Sequence, residues 1–221
     1  AFEEHVDAAR RQRGSDVPQE WYEVPVFYFS NPTAIFGPED AVPYPEGTQE
    51  LDYELECAAV IGADGAIAGF TILNDWSARD LQRQEMRVGL GPAKGKDFST
   101  VIAPILVTPD ELEQYKMPAK PNHTGNNYNL EMRCMVNGIE VSRGKMGDMD
   151  WTFAEIIERC AYGADILPGD VIGSGTVGTG CFMELNGTGK LNDPAYTEQW
   201  LQDGDVVEME IAGLGHLSNT I

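Results

Sequence analysis

Three carboxylates stand close together in the first half of this chain: Glu54 and Glu56 in Tyr53-Glu54-Leu55-Glu56, and Asp75 in Asn74-Asp75-Trp76-Ser77-Ala78-Arg79-Asp80. If residues 51–61 form a strand, alternate side chains share a face, so Glu54 and Glu56 project together about 7 Å apart at a rise of about 3.4 Å per residue. One hard cation can bridge such a pair. Asp75, at the end of the next apolar run (residues 66–73), supplies a third oxygen, and all-oxygen ligation is what magnesium or calcium prefers. The same alternation also describes a strand whose acidic face meets water, with Asp75 a turn residue and Arg79 a solvated helix arginine. The strand alone leaves both readings open.

The elements that must position these groups follow from local pattern. Residues 2–13 have helical spacing (Phe2, Val6, Ala9), carry His5 and stop at Gly14. Residues 21–29 read as an edge strand interrupted by Pro25, and the Pro- and Gly-dense stretch 31–48 as ordered loop. The strand 51–61 turns at Asp64-Gly65 into a second, more buried strand, 67–73. Ser77, with Asp80 three residues on, predicts a capping-box helix running to about Arg87, with Arg79 and Gln82 on one face. Lys94, Lys96 and Asp97 follow in a Gly-rich loop, and residues 101–107 are apolar again.

In the second half, residues 109–125 read as a short turn of helix and a polar surface loop carrying an exposed, non-catalytic His123. Asn137-Gly138 is a two-residue hairpin signal, and Thr152-Phe153-Ala154-Glu155 a capping box opening a helix through Tyr162 that buries Ile156, Ile157 and Cys160. Pro168-Gly169-Asp170 and Asp203-Gly204-Asp205 each lead into a strand. Gly173, Gly175 and Gly178 spell G-x-G-x-x-G, but a dinucleotide fingerprint needs a helix directly after it in a βαβ unit. Residues 181–185 read as too short for that, so a tight backbone turn lining a pocket is expected. Many short strands with about three helices make a β-rich α+β fold, and 221 residues suit one domain.

A net charge of −21 disfavours nucleic acid as a partner, because phosphate binding depends on Lys and Arg clusters that are absent here. Six Lys against 36 Asp and Glu fit a saline habitat or an ordinary acidic enzyme, and composition does not choose between them. No window approaches the roughly 18 apolar residues of a membrane span, and the opening residues lack a signal-peptide layout, so a soluble cytoplasmic protein is expected. The first residue is Ala, and part of the natural chain is expected upstream of it. Cys57, Cys134, Cys160 and Cys181 form no C-x-x-C pair and read as buried free thiols.

Taken together, these residues resemble the fumarylacetoacetate hydrolase family, in particular fumarylacetoacetase-like bacterial members. Residues 74–82, then Gly91-Pro92 and Gly95-Lys96-Asp97-Phe98-Ser99-Thr100, match its core signature. The Tyr-x-Leu-Glu strand, Gly-Ser-Gly-Thr at 173–176 and Met183-Glu184-Leu185 extend the likeness over nearly the whole chain. The resemblance implies a mixed β-roll with a few peripheral helices, a homodimer, and residues 1–221 as one catalytic domain. It implies Glu54, Glu56 and Asp75 as ligands of Mg2+ or Ca2+, with Mn2+ as a substitute, and Lys96 and Thr100 lining the metal site. His5 and Glu184 fall on the catalytic histidine and the acid that orients it; Tyr28, Arg79, Gln82 and Thr176 fall on substrate-binding positions.

The implied activity is hydrolysis of a carbon-carbon bond in a 1,3-diketo acid of the fumarylacetoacetate or acylpyruvate type, by water activated at His5. Relatives also include isomerases and decarboxylases of 2-oxo or 2-hydroxy-dienoic acids in aromatic or sugar-acid catabolism, and a non-catalytic cation-binding relative is a further alternative. Three departures bear on this. A fourth carboxylate ligand, seven residues before the histidine in such relatives, falls upstream of Ala1. A substrate-contacting Tyr is replaced by Met86, and a substrate-binding Arg by Gly14.

Overall fold

The acidic strand keeps its direction but changes partners midway. The structure, a computed structural model describing residues 1–221, splits it into β2 and β3 around Tyr53 and Glu54. In chain order the first half comprises α1 (Glu3–Arg11), β1 (Ile35–Phe36), β2 (Leu51–Asp52), β3 (Leu55–Ile61), β4 (Ile67–Asn74), β5 (Ser77–Ala78), α2 (Arg79–Met86) and β6 (Thr100–Ile102). The second half adds β7 (Lys116–Pro118), β8 (Asn126–Tyr128), β9 (Glu131–Val136), β10 (Ile139–Lys145), α3 (Phe153–Cys160), β11 (Val171–Gly173), α4 (Phe182–Asn192), β12 (Val206–Ile211) and β13 (Gly215–Thr220). The result is the expected β-rich α+β fold, with four helices rather than three. No helix is long and apolar enough to cross a membrane.

One mixed sheet has the order β1-β6-β4-β3-β11 and a second, antiparallel sheet the order β10-β9-β12-β13. They face each other across a shared core in which Tyr53, Phe70, Trp76 and Met132 are almost fully enclosed. A hydrogen bond of 2.5 Å between Tyr53 Oη and Ser142 Oγ ties β10 to the acidic segment. β3 is enclosed on both faces, so its alternation separates two packed sides rather than core from solvent. That is why small residues, Cys57, Ala58 and Ala59, occupy its middle.

Local turn chemistry is as expected. Asn137 and Gly138 both adopt positive φ, 52° and 74°, as a type I′ hairpin between β9 and β10 requires. Thr152 and Glu155 form a complete capping box on α3. Four expectations are corrected. Residues 21–29 form no strand: Gln19–Tyr22 is a 3-10 turn, and Pro25 lies in a segment that pairs with nothing, leaving Phe29 91% exposed. Ser77 does not open α2 but pairs in β5 with Asp52, and Asp80 bonds instead to Thr48 Oγ1 (2.5 Å) and the Gln49 N–H (2.9 Å). His123 is half-buried, its Nδ1 3.1 Å from Glu155 Oε2 and its ring edge-on to Trp151. Finally, residues 182–192 are a full helix, α4, running through Gly187 and Gly189.

Those glycines are where neighbours press in. A Cβ on Gly187 would fall 1.8 Å from the side chain of Gln12, the residue that ends α1, and one on Gly189 2.5 Å from the Tyr196 ring. Although a helix follows the G-x-G-x-x-G, the strand after it, β12, lies in the other sheet, so β11, α4 and β12 do not make the βαβ unit that a dinucleotide fingerprint needs.

Candidate metal and catalytic site

Pairing between β3 and β4 sets Leu55 opposite Asn74. Asn74 Oδ1 accepts the Glu54 backbone N–H at 3.0 Å, which places the next residue, Asp75, beside Glu54. One carboxylate oxygen from each of Glu54, Glu56 and Asp75 lies within 4.8 Å of the other two. These residues are only 6%, 5% and 5% exposed, so an acidic face turned to water is ruled out.

Lys96 reaches into this cluster from the Gly-rich loop. Its Nζ donates to Glu54 Oε2 at 2.5 Å, Asp75 Oδ2 at 2.9 Å and the Asp75 carbonyl at 3.2 Å, which uses all three of its protons. The loop closes on α2 at Gly95, where a Cβ would fall 2.8 Å from the Gln82 backbone nitrogen. Arg79 is buried as well: Nη1 meets Glu54 Oε1 at 2.8 Å and Gln82 Oε1 at 3.1 Å, and Nη2 has no partner. The Tyr28 hydroxyl donates to Asp75 Oδ2. Thr100 and Thr176 are buried on β6 and in the loop after β11, and their hydroxyls are not bonded to the carboxylates.

The glycine motif has a use here. The Gly175 N–H donates to Glu56 Oε2 at 2.9 Å, and a Cβ on Gly173 would lie 2.6 Å from that same oxygen. The tight turn cradles a carboxylate of the protein itself. Gly173→Ala is therefore expected to leave the fold intact, because the clash is with the end of a side chain, yet to turn Glu56 away. Titration calorimetry should show divalent-cation affinity falling about 10-fold or more; wild-type affinity would place Glu56 outside the cation site.

Charge is out of balance in this cluster. With Asp52, four buried carboxylates face two buried cations, Arg79 and Lys96. Burial, together with Asp75 and Glu54 nearby, pushes the Glu56 carboxyl up to about 8. Burial acts the same way on Glu54, but Lys96 and Arg79 overcome it and hold that carboxyl down at about 2. Asp75 is raised, burial outweighing Lys96, and its Oδ1 is enclosed without a hydrogen-bond partner. An all-oxygen donor set with surplus negative charge and a free oxygen fits a hard divalent cation.

A second pair lies beside the first. α1 packs on α4, with Gln12 Nε2 donating to the Met183 and Glu184 carbonyls at 3.3 and 3.4 Å. This sets His5 Nδ1 2.9 Å from Glu184 Oε2, while Glu184 Oε1 accepts the Thr179 N–H at 2.8 Å. Glu184 is thus fixed at both oxygens. An imidazolium at His5 would be near enough to Glu54 to favour its charged form. Sequence reasoning passed over two residues that organise these groups, Asn74 and Asp52. Asp52 was signalled by parity, since it shares its face with Glu54 and Glu56.

The family model for the C-terminal domain of fumarylacetoacetate (FAA) hydrolase matches residues 1–221, the whole chain. The chain belongs to the fumarylacetoacetate hydrolase family. It is similar to the fumarylacetoacetase of Oryza sativa subsp. japonica, 30% identical over 88% of this chain and 58% of that protein. It is also similar to a mitochondrial oxaloacetate tautomerase of Homo sapiens, 33% identical over 98% of this chain and 63% of that protein. The chain thus spans about three-fifths of the length of these curated relatives. Its fold is that of the fumarylpyruvate hydrolase of Pseudomonas aeruginosa, solved with Mn2+ and pyruvate: TM-score 0.69, 23% identity, 97% of this chain and 84% of that one. The family is one of enzymes, with hydrolases, isomerases and tautomerases among its members.

Proposed function

We propose that residues 1–221 form a catalytic domain that hydrolyses a carbon-carbon bond in a 1,3-diketo acid of the fumarylacetoacetate or acylpyruvate type, with a divalent cation held by Glu54, Glu56 and Asp75. The observation that carries this reading is the oriented His5–Glu184 pair next to a carboxylate cluster short of positive charge. Glu54, Glu56 and Asp75 would hold the cation, Mg2+, Ca2+ or Mn2+, and its chemistry there would be to polarise a substrate carbonyl and offset enolate charge. Mn2+ accompanies the fumarylpyruvate hydrolase noted above, which supports the choice of a hard divalent ion.

Glu184 accepts the Nδ1–H of His5, which leaves Nε2 as the base. Nε2 takes a proton from water, and the resulting hydroxide oxygen bonds to the carbonyl carbon distal to the enol. The bond between that carbon and the central carbon then breaks, its electron pair leaving on the enolate, which recovers the proton from His5. Lys96 offsets the oxyanion. Since its three donors are committed, it does so only after one carboxylate acceptor is withdrawn from it. Arg79 Nη2, the Gln82 amide, Tyr28 and Thr176 position the substrate, with the free guanidinium donor suited to a substrate carboxylate.

Exhaustive chelation is expected to abolish hydrolysis of an acylpyruvate, followed by ultraviolet absorbance, and Mn2+ or Mg2+ to restore it. Full activity after chelation would remove the cation from the reaction. A second reading is favoured by the oxaloacetate tautomerase relative: proton transfer between keto and enol forms of a 2-oxo acid, without cleavage. NMR product analysis on acylpyruvate and oxaloacetate separates cleavage, tautomerisation and decarboxylation. Retained cation binding with no turnover on either would favour the non-catalytic alternative. Light scattering tests the homodimer.

A further inference from the structure

Asp52 takes no part in the chemistry proposed above, yet it has no exposed surface. Its Oδ1 accepts the Phe182 N–H at 2.7 Å, and its Oδ2 accepts the Met183 N–H at 2.9 Å and the Arg79 Nε–H at 2.8 Å. The first two donors are the opening N–H groups of α4, whose N-cap residue, Cys181, makes no side-chain cap bond. The third belongs to the guanidinium that meets Glu54 Oε1 through Nη1 at 2.8 Å. α4 in turn carries Glu184, which holds His5. One carboxylate therefore links the imidazole side of the site to the carboxylate side.

We propose that Asp52 is a positioning residue that anchors the start of α4 to Arg79 and, by occupying the guanidinium, keeps Arg79 from displacing a cation at Glu54. Capping alone does not require it. Ser or Asn at the N-cap caps a helix locally, with no buried charge, whereas an ion pair enclosed this deeply has to offset a large desolvation cost. Arg79 also retains an unpartnered Nη2. Without the Asp52 charge, that guanidinium turns more fully to Glu54 and competes there with a divalent ion. The inference rests on the reading of Glu54, Glu56 and Asp75 as cation ligands.

Four proteins test it: wild type, Asp52→Asn, Cys181→Ser and the double variant. Cys181 has φ −154° and ψ 159°, extended as an N-cap must be, so serine there supplies a local cap for α4. Asp52→Asn should lower the melting temperature of the metal-free protein and weaken Mn2+ binding about 10-fold or more, measured by titration calorimetry. The double variant should regain part of the melting temperature lost by Asp52→Asn, but not the Mn2+ affinity of Cys181→Ser. Recovery of both would reduce Asp52 to a helix cap and overturn the proposal, as would wild-type affinity in Asp52→Asn. Should Asp52→Asn alone not fold, the double variant against Cys181→Ser makes the same comparison. Wild type that binds no Mn2+ overturns the cation site and this role together; wild type that binds, with a double variant that binds equally well, overturns this role alone.

Discussion

His5→Ala lowers turnover of an acylpyruvate by about 10²- to 10⁴-fold, the range expected when a positioned general base is lost, and leaves Mn2+ affinity unchanged. The two effects separate because the imidazole is oriented by Glu184 and shares no bond with Glu54, Glu56 or Asp75. Packing of α1 does not depend on it: Phe2 is enclosed, and Gln12 bonds to two α4 carbonyls. His5→Gln is the control, since it keeps a polar partner for Glu184 without a base of useful strength. Steady-state kinetics and calorimetry on the same preparations decide the matter. Wild-type turnover in both variants removes the base; a parallel loss of Mn2+ affinity would instead make His5 a ligand.

What could be read from sequence was what short-range chemistry determines. Asn137-Gly138 and Thr152-to-Glu155 stabilise their own turn and cap, so the hairpin and α3 came out as expected. Period-two spacing likewise brought Glu54 and Glu56 to one side. Wherever a group is claimed from far along the chain, local pattern misled. Asp80 belongs to Thr48 and Gln49, so the capping box at Ser77 does not form. α4 is capped by Asp52, 130 residues before it, and nothing near Phe182 announces that helix. Residues 21–29 have strand-like composition, but no neighbouring strand accepts them.

The candidate site divides in the same way. The carboxylates are visible as a pattern, but their burial is not, because it depends on both faces of β3 being covered. His5 and Glu184 lie 179 residues apart and are joined only by the packing of α1 on α4. Only the family resemblance brought that pair into view from sequence.

Glu56→Gln is expected to change stability in opposite directions with and without a cation. In metal-free protein, burial, Asp75 and Glu54 raise the Glu56 carboxyl from its ordinary 4.5 to about 8. Between those values the folded chain holds a proton that the unfolded chain has lost, so stability falls as pH rises through the window, and the loss is complete above the folded value. Glutamine cannot ionise. Above pH 8, metal-free Glu56→Gln should therefore melt higher than metal-free wild type, and its melting temperature should vary less between pH 5 and 8. Adding Mn2+ at about one hundred times its dissociation constant should stabilise wild type by about 2.7 kcal/mol, or about 5–10 °C in a chain of this size. The variant has lost a ligand charge and should gain little. Differential scanning calorimetry over pH, with chelator or Mn2+, reads both effects. A carboxylate kept only for the fold would do the reverse, its removal lowering the metal-free melting temperature, and that result would sink the cation site at Glu56.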